Sequence, residues 1–191
     1  MMATISMNMI QQLRVSILLS LLFPLLVSAK SPSKPNILFI LTDDQGYGDL
    51  AKHGHPLLKT PHLDQLSGES VRFENFYVSA SCSPTRAALM TGRHEFLSGV
   101  THTIQPREHL SQSATILPQH LKKAGYRTGF IGKWHLGNGK GYSPANRGFD
   151  WTSTNQKGSR NHFDPLMIGN GKREKRKGFR EDVFFDEAMT F

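Results

Sequence analysis

The chain has 191 residues, 38% of them hydrophobic and 9% aromatic, with 17 glycines, 10 prolines and one cysteine, a mixture that excludes collagen-like, disulfide-dense and wholly disordered chains. Lys and Arg number 23 against 15 Asp and Glu, a formal charge of +8, yet Lys172, Arg173, Lys175, Arg176, Lys177 and Arg180 crowd six of those cations into nine residues. The basic balance is one local run rather than a field over the molecule; such a run could bind a sulfated polysaccharide or nucleic acid but is usually a solvated loop, and the export expected of this chain argues against a nucleic acid partner.

Residues 1–29 read as a signal peptide. Arg14 precedes the apolar run from Val15 to Val27, and Val27-Ser28-Ala29 offers the small residues that a signal peptidase needs. The 13 residues of that run, at a helical rise of about 1.5 Å each, reach roughly 20 Å, short of a hydrocarbon core of about 30 Å. Export to the periplasm or the medium is therefore expected, with no permanent membrane anchor.

Folding is left to residues 30–191. After the linker-like Ser31-Pro32-Ser33-Lys34-Pro35, residues 36–42 are apolar without alternation, which predicts a strand buried on both faces of a parallel sheet. That strand would open at Asp43-Asp44 into the glycine-punctuated loop Gln45-Gly46-Tyr47-Gly48-Asp49. Thr60-Pro61 reads as the cap and first residue of a helix with Leu63 and Leu66 on one face, and residues 71–78 read as a second strand. Helices are predicted from near Pro84, with Ala87, Ala88, Leu89 and Met90, and over residues 116–124, closed by Gly125. A strand over residues 126–131 follows. Residues 137–171 read as a loop-rich excursion, and the basic run after Gly171 as a solvated loop. Finally Asp182 caps a helix with Phe184, Ala188 and Phe191 at i, i+4 and i+7. Strands and helices alternate without an internal repeat, which predicts an α/β fold built on a mostly parallel sheet flanked by helices. Because an apolar helical face is still open at Phe191, residues 30–191 are read as the amino-terminal part of a longer protein.

Cys82 lies in Ala80-Ser81-Cys82-Ser83-Pro84-Thr85-Arg86-Ala87-Ala88-Leu89-Met90-Thr91-Gly92-Arg93. Taken alone, an isolated cysteine is usually a small buried apolar residue. Pro84 as an early helical residue instead puts Cys82 at a helix N-terminus, where amide donors favour an anion, with Arg86 one turn further on the same face. Likewise Asp43-Asp44 alone fits a solvated turn, and a lone His135 fits a structural role.

Together, these residues resemble the type I sulfatases of the alkaline phosphatase superfamily. Cys82 to Gly92 matches the signature Cys-x-Pro-x-Arg followed by a short helix and Thr-Gly. Gly125 to His135 matches Gly-Tyr-x-Thr-x-x-x-Gly-Lys-Trp-His, and a strand ending in Asp43-Asp44 matches the family's first metal ligands. The resemblance implies an alkaline-phosphatase-like sheet and a sulfuric ester hydrolase acting on a sulfated carbohydrate or an aryl sulfate. It implies a formylglycine made from Cys82 by a maturation enzyme, and a Ca²⁺ ion, with Mg²⁺ as the alternative, held by Asp43, Asp44 and the side chain derived from Cys82. Two acids cannot fill six to eight positions, so further ligands are expected beyond Phe191 and the chain by itself is expected to turn over little.

A sulfate monoester is anionic and resists water, so its hydrolysis needs a placed nucleophile, positive groups on the oxygens and help for departing groups. By resemblance, the hydrated aldehyde at position 82 attacks sulfur, with Arg86 and the metal favouring its ionised form. His135 assists the elimination that expels sulfate, and Lys133 holds an oxygen of the aldehyde-derived group or of the sulfate. On an extended segment Lys133 and His135 would point one way and Trp134 the other. A phosphonate or phosphate ester hydrolase of the same superfamily is the alternative. From another class comes a non-catalytic binder of anionic glycans through Lys172 to Arg180. Asn161-His162-Phe163-Asp164-Pro165 could line the substrate pocket or form a loop tip. The sequence carries no signal of oligomeric state.

Overall fold

A computed structural model describes residues 33–155 and 161–191; the expected signal peptide at residues 1–29 lies outside the described residues. The chain divides into two units, Met1–Thr42 and Asp43–Phe191. In the first, residues 33–42 form no strand, and Leu38 is 79% exposed. This corrects the expectation of a buried strand over residues 36–42. An apolar run records a capacity for burial, whereas a strand forms only where a neighbour completes its ladder, and the described residues of this unit form no such ladder.

The second unit opens with short 3₁₀ turns at Tyr47–Asp49 and Ala51–His53, followed by helix α1, Pro61–Glu69. Pro61 takes the first helical position, and the Thr60 hydroxyl donates to Asp64 Oδ1 at 2.9 Å. Residues 71–78 carry no strand, and Val71, Phe73, Phe76 and Tyr77 are exposed, for the same reason as residues 36–42.

Helix α2 spans Cys82–Thr91 and begins two residues before Pro84. It ends where Gly92 turns left-handed at φ 64° and donates its N–H to the Ala88 carbonyl. Helix α3, Leu117–Lys123, starts as expected: Ile116 donates its N–H to the Gln119 side chain at 2.8 Å.

Four strands make one sheet in chain order: β1 Gly129–Gly132, β2 Trp151–Asn155, β3 Leu166–Gly169 and β4 Lys172–Lys175. The first pair is parallel and the other two are antiparallel. The α/β class stands, with a mixed sheet. β3 and β4 form a hairpin closed by Asn170 and Gly171 at φ 48° and 84°, the left-handed pair that a two-residue hairpin turn demands. The basic run is thus in part an edge strand rather than wholly a loop, and its charges suit an edge that must not recruit another chain.

Helix α4, Arg180–Met189, lies against β1, and a Cβ at Gly132 would stand 3.5 Å from the Phe184 ring. It starts two residues ahead of the expected cap Asp182 and closes at Met189, so Phe191 is not helical; its ring approaches Trp151 at 6.0 Å.

The core joins the inner face of α2 to the segment before the sheet: Ala87, Val100, Leu110, Ile116, Trp134 and Leu136 are buried together. Trp134 meets the rings of Phe130 and Phe149 edge-on and donates its indole N–H to the Tyr142 carbonyl at 2.7 Å. Burying Trp134 and Leu136 fixes Lys133 and His135 beside the start of α2. Arg147, buried, ties the following excursion down by donating to the carbonyls of Ser111 and Ala114 at 3.1 and 2.9 Å.

Candidate active site

Five of the residues singled out in the sequence meet between the start of α2 and the end of β1. Ser81 is extended and Cys82 opens the helix, so Cys82 stands in the first turn, where backbone amides have no intrahelical acceptor. Its Sγ lies 3.2 Å from Nδ1 of His135. The other ring nitrogen, Nε2, is 2.9 Å from the Thr103 carbonyl oxygen and 3.1 Å from Oε2 of Glu108. A carbonyl accepts and cannot donate, so Nε2 carries the hydrogen. In the neutral ring the lone pair is then on Nδ1, facing Cys82.

Lys133 and Arg86 converge on Asp43. The Lys133 ammonium donates to both Asp43 oxygens at 3.0 Å. Arg86, almost fully buried, donates through Nη1 to the Lys133 carbonyl and through Nη2 to Asp43 Oδ1 at 3.4 Å. One guanidinium thereby holds the backbone of Lys133 and the partner of its side chain. Partial burial raises the Asp43 pKa, but the hydrogen bond and charge of Lys133, with the charge of Arg86, outweigh it and hold the carboxyl below its ordinary value. Lys133 turns to Asp43 and His135 to Cys82, while Trp134 enters the core. The segment is not extended throughout, because His135 has φ 56° and Gly132 φ 97°.

Asp44 is exposed, at φ 56°, and makes none of these contacts. Hard carboxylate oxygens suit Ca²⁺ or Mg²⁺, and Asp43 and Asp44 fit two places in such a set. They do not make a cage: among the described residues no group of three His, Cys, Asp or Glu side chains comes together. The charge of Asp43 is matched here by two cations.

A cavity of about 780 Å³ opens beside the cluster, lined by Asp43, Lys133 and His135 on one side and by Thr154, Ile168 and Arg173 on the sheet side. It falls within the usual range for small-molecule sites. Asn138 and Asn155 also reach it. Asn161 to Pro165 do not line this cavity; His162 and Asp164 instead accept the N–H groups of Arg180 and Gly178 at 2.7 and 2.9 Å.

Sequence reasoning missed Glu108 and Thr103. Nothing in Arg107-Glu108-His109 marks a buried acid. Thr103 acts through its backbone, which side-chain chemistry does not reveal. Arg173 belongs to the run expected as a loop and stands instead on β4, lining the cavity; Asn170-Gly171 between Ile168 and Lys172 is the hairpin signal for that strand.

A family model described as Sulfatase matches residues 35–191. Over 123 residues the chain is 46% identical to Arylsulfatase J of Mus musculus, covering 62% of this chain and 20% of that protein. Over 148 residues it is 43% identical to N-acetylgalactosamine-6-sulfatase of Homo sapiens, covering 71% and 27%. The chain thus spans about a quarter or less of the length of these relatives. Among solved structures, BT4656 in complex with its substrate D-glucosamine-2-N,6-O-disulfate superposes with a TM-score of 0.71 at 31% identity, over 83% of this chain and 31% of that one.

Proposed function

Because the chain belongs to the sulfatase family, we propose that residues 30–191 are the amino-terminal part of the catalytic domain of a sulfuric ester hydrolase and carry the nucleophile side of its site. The observation behind this reading is the contact of Cys82 Sγ with His135 Nδ1 at 3.2 Å, beside the Lys133, Asp43 and Arg86 cluster. Similarity to an N-acetylgalactosamine-6-sulfatase and to a protein bound to a disulfated glucosamine supports a sulfated carbohydrate as substrate. Similarity to Arylsulfatase J supports an aryl sulfate as an assay compound.

Residue 82, oxidised to formylglycine by a maturation enzyme, would supply as its hydrate the oxygen nucleophile for sulfur. Asp43 and Asp44 would hold a divalent cation, Ca²⁺ by resemblance, which would offset the charge of the sulfate oxygens. His135 takes a proton at Nδ1 from a group on residue 82, since Nε2 already donates to the Thr103 carbonyl, with Glu108 Oε2 3.1 Å away. Lys133 offers its ammonium to an oxygen of the ester, and the charge of Arg86 favours an anion at the helix N-terminus. Residues 1–29, with their apolar run and small-residue cleavage site, would direct export.

Mass spectrometry of the peptide around residue 82, in full-length protein made with a maturation enzyme, is expected to read an aldehyde in place of the thiol. The same protein should release sulfate from an aryl sulfate, and Cys82→Ala should abolish release. An unaltered thiol in an efficient enzyme, or full activity in Cys82→Ala, overturns the proposal.

A further inference from the structure

Opposite Lys133 and His135, the cavity wall is made by the basic run. The strand register sets this up: Gly132 pairs with Thr154, Thr154 with Ile168, and Ile168 with Arg173. Directly opposed residues share a face of a sheet, and Thr154, Ile168 and Arg173 all line the cavity. Arg173 therefore stands in the cross-strand row that starts at Gly132, the residue before Lys133. Three strand spacings separate the ends of that row, about 14 Å of backbone, and the long Arg173 side chain can shorten the gap.

The cations of the run differ in what they touch. Arg176 is taken by Glu174 and Glu187 at 2.6 and 2.8 Å. Arg180, which also lines the cavity, donates Nε to Glu181 at 2.9 Å. The Arg173 side chain makes no hydrogen bond or ion pair with any described residue, its strand being held by the backbone ladder to β3. A guanidinium in this state presents a planar fork of donors that matches two oxygens of a sulfate or carboxylate.

We infer that Arg173 forms a second oxyanion subsite, which takes a sulfate or carboxylate carried by the substrate in addition to the ester at the Lys133 end. The inference rests on the sulfatase reading of that end. It makes the basic run a wall of the same cavity rather than a separate glycan-binding surface, and it makes a glycan with two anionic groups the preferred ligand.

Calorimetric titration of the full chain tests this with three probes: glucosamine 6-sulfate, glucosamine 2-N,6-O-disulfate, and a disaccharide bearing one 6-sulfate and one uronate. The second and third are expected to bind about tenfold more tightly than the first. Arg173→Gln should remove that gain and leave the affinity for the first probe unchanged. Lys172→Ala, which deletes the same charge from the other face of β4, should keep the gain. A gain with only the disulfate or only the uronate supports the subsite and assigns its anion. The inference is overturned by equal affinities for all three probes, by a gain that persists in Arg173→Gln, or by a gain lost equally in Lys172→Ala. Lys133→Ala separates the two readings: it should weaken all three probes. If the first probe ignores Lys133 while the Arg173-dependent gain remains, the sulfatase end is misassigned and the subsite on β4 is not. Arg173 is exposed on an edge strand, so its replacement should leave the thermal midpoint in place, which a melting curve checks.

Discussion

Glu108, wholly buried, holds its Oε2 3.1 Å from Nε2 of His135. The Thr103 carbonyl, 2.9 Å from the same nitrogen, takes its hydrogen and so decides which face of the imidazole can receive a proton, while the carboxylate adds negative charge on that side. The chain Glu108, His135, Cys82 thus points a lone pair at the residue proposed to become the nucleophile. Nitrogen NMR of the neutral ring should show the Nε2–H tautomer, and an Nδ1–H tautomer would remove the base from the mechanism. Glu108→Gln leaves buried donors less well matched, since Asn138 also donates to this carboxylate at 3.4 Å. It should cost about 1–3 kcal/mol of stability, read by denaturant unfolding.

Asp43 supplies a second measurable signature. Burial alone would raise its pKa, but the Lys133 hydrogen bond and charge, with Arg86, draw it below the ordinary value. In Lys133→Ala the burial remains while the leading opposing cation goes. The Asp43 carboxyl, followed by carbon NMR, should then titrate at higher pH than in the wild type. A titration unmoved by the substitution would mean that Lys133 does not hold this carboxylate in solution. In the full-length enzyme the same change should lower kcat/KM by about 10²–10³, the usual effect of losing one donor to a developing oxyanion.

Away from the site, Asp150 fastens the start of β2 to α3 and to the residue before β1. It accepts from the Thr128 N–H at 2.9 Å and the Thr128 hydroxyl at 3.0 Å, and it pairs with Lys122 at 2.6 Å. The Lys122 hydrogen bond first, then that of the Thr128 backbone, holds its pKa below the ordinary value. The folded protein therefore binds this proton more weakly than the unfolded chain. The resulting stability is fully present above the unfolded carboxyl pKa of about 3.9 and fades as pH falls through the lower folded value. Asp150→Asn should cost on the order of 1 kcal/mol at neutral pH. Urea unfolding of both proteins from pH 7 downward should show the difference shrinking only below about pH 4.

What could be read in advance follows from which signals are local. The starts of α1, α2 and α3 are written in Thr60-Pro61, Ser81 to Pro84, and Ile116 to Pro118, because a cap or an early proline acts within a turn. Strands are different. Residues 36–42 and 71–78 have the composition of strands and no ladder, whereas Trp151–Asn155 is polar at every position but Trp151 and Lys172–Lys175 is entirely charged, yet both pair. Pairing depends on a partner elsewhere in the chain, and composition reports only the burial a strand would like. At the site, side chains announced by spacing, Cys82, Arg86, Lys133 and His135, do converge with Asp43. Their supports, Glu108 and the Thr103 carbonyl, were illegible because they act through burial and backbone.

Arg86 gives the sharpest test of whether the cluster is one unit. Its two amino groups reach the Lys133 carbonyl and the Asp43 carboxylate, while the Lys133 ammonium closes the ring on the same Asp43. Arg86→Lys can satisfy only one of the two acceptors, since a lysine ammonium is a point donor without the planar fork. It should therefore recover little of what Arg86→Ala loses. Because both partners bear on Lys133, deleting Arg86 and deleting Asp43 should not add. A double-mutant cycle of Arg86→Ala and Asp43→Ala, measured by chemical unfolding, is expected to show a coupling of at least about 0.5 kcal/mol. Strict additivity would mean that the 3.4 Å approach of Nη2 to Asp43 carries no energy, and that Arg86 serves only to pin the backbone carbonyl ahead of Trp134.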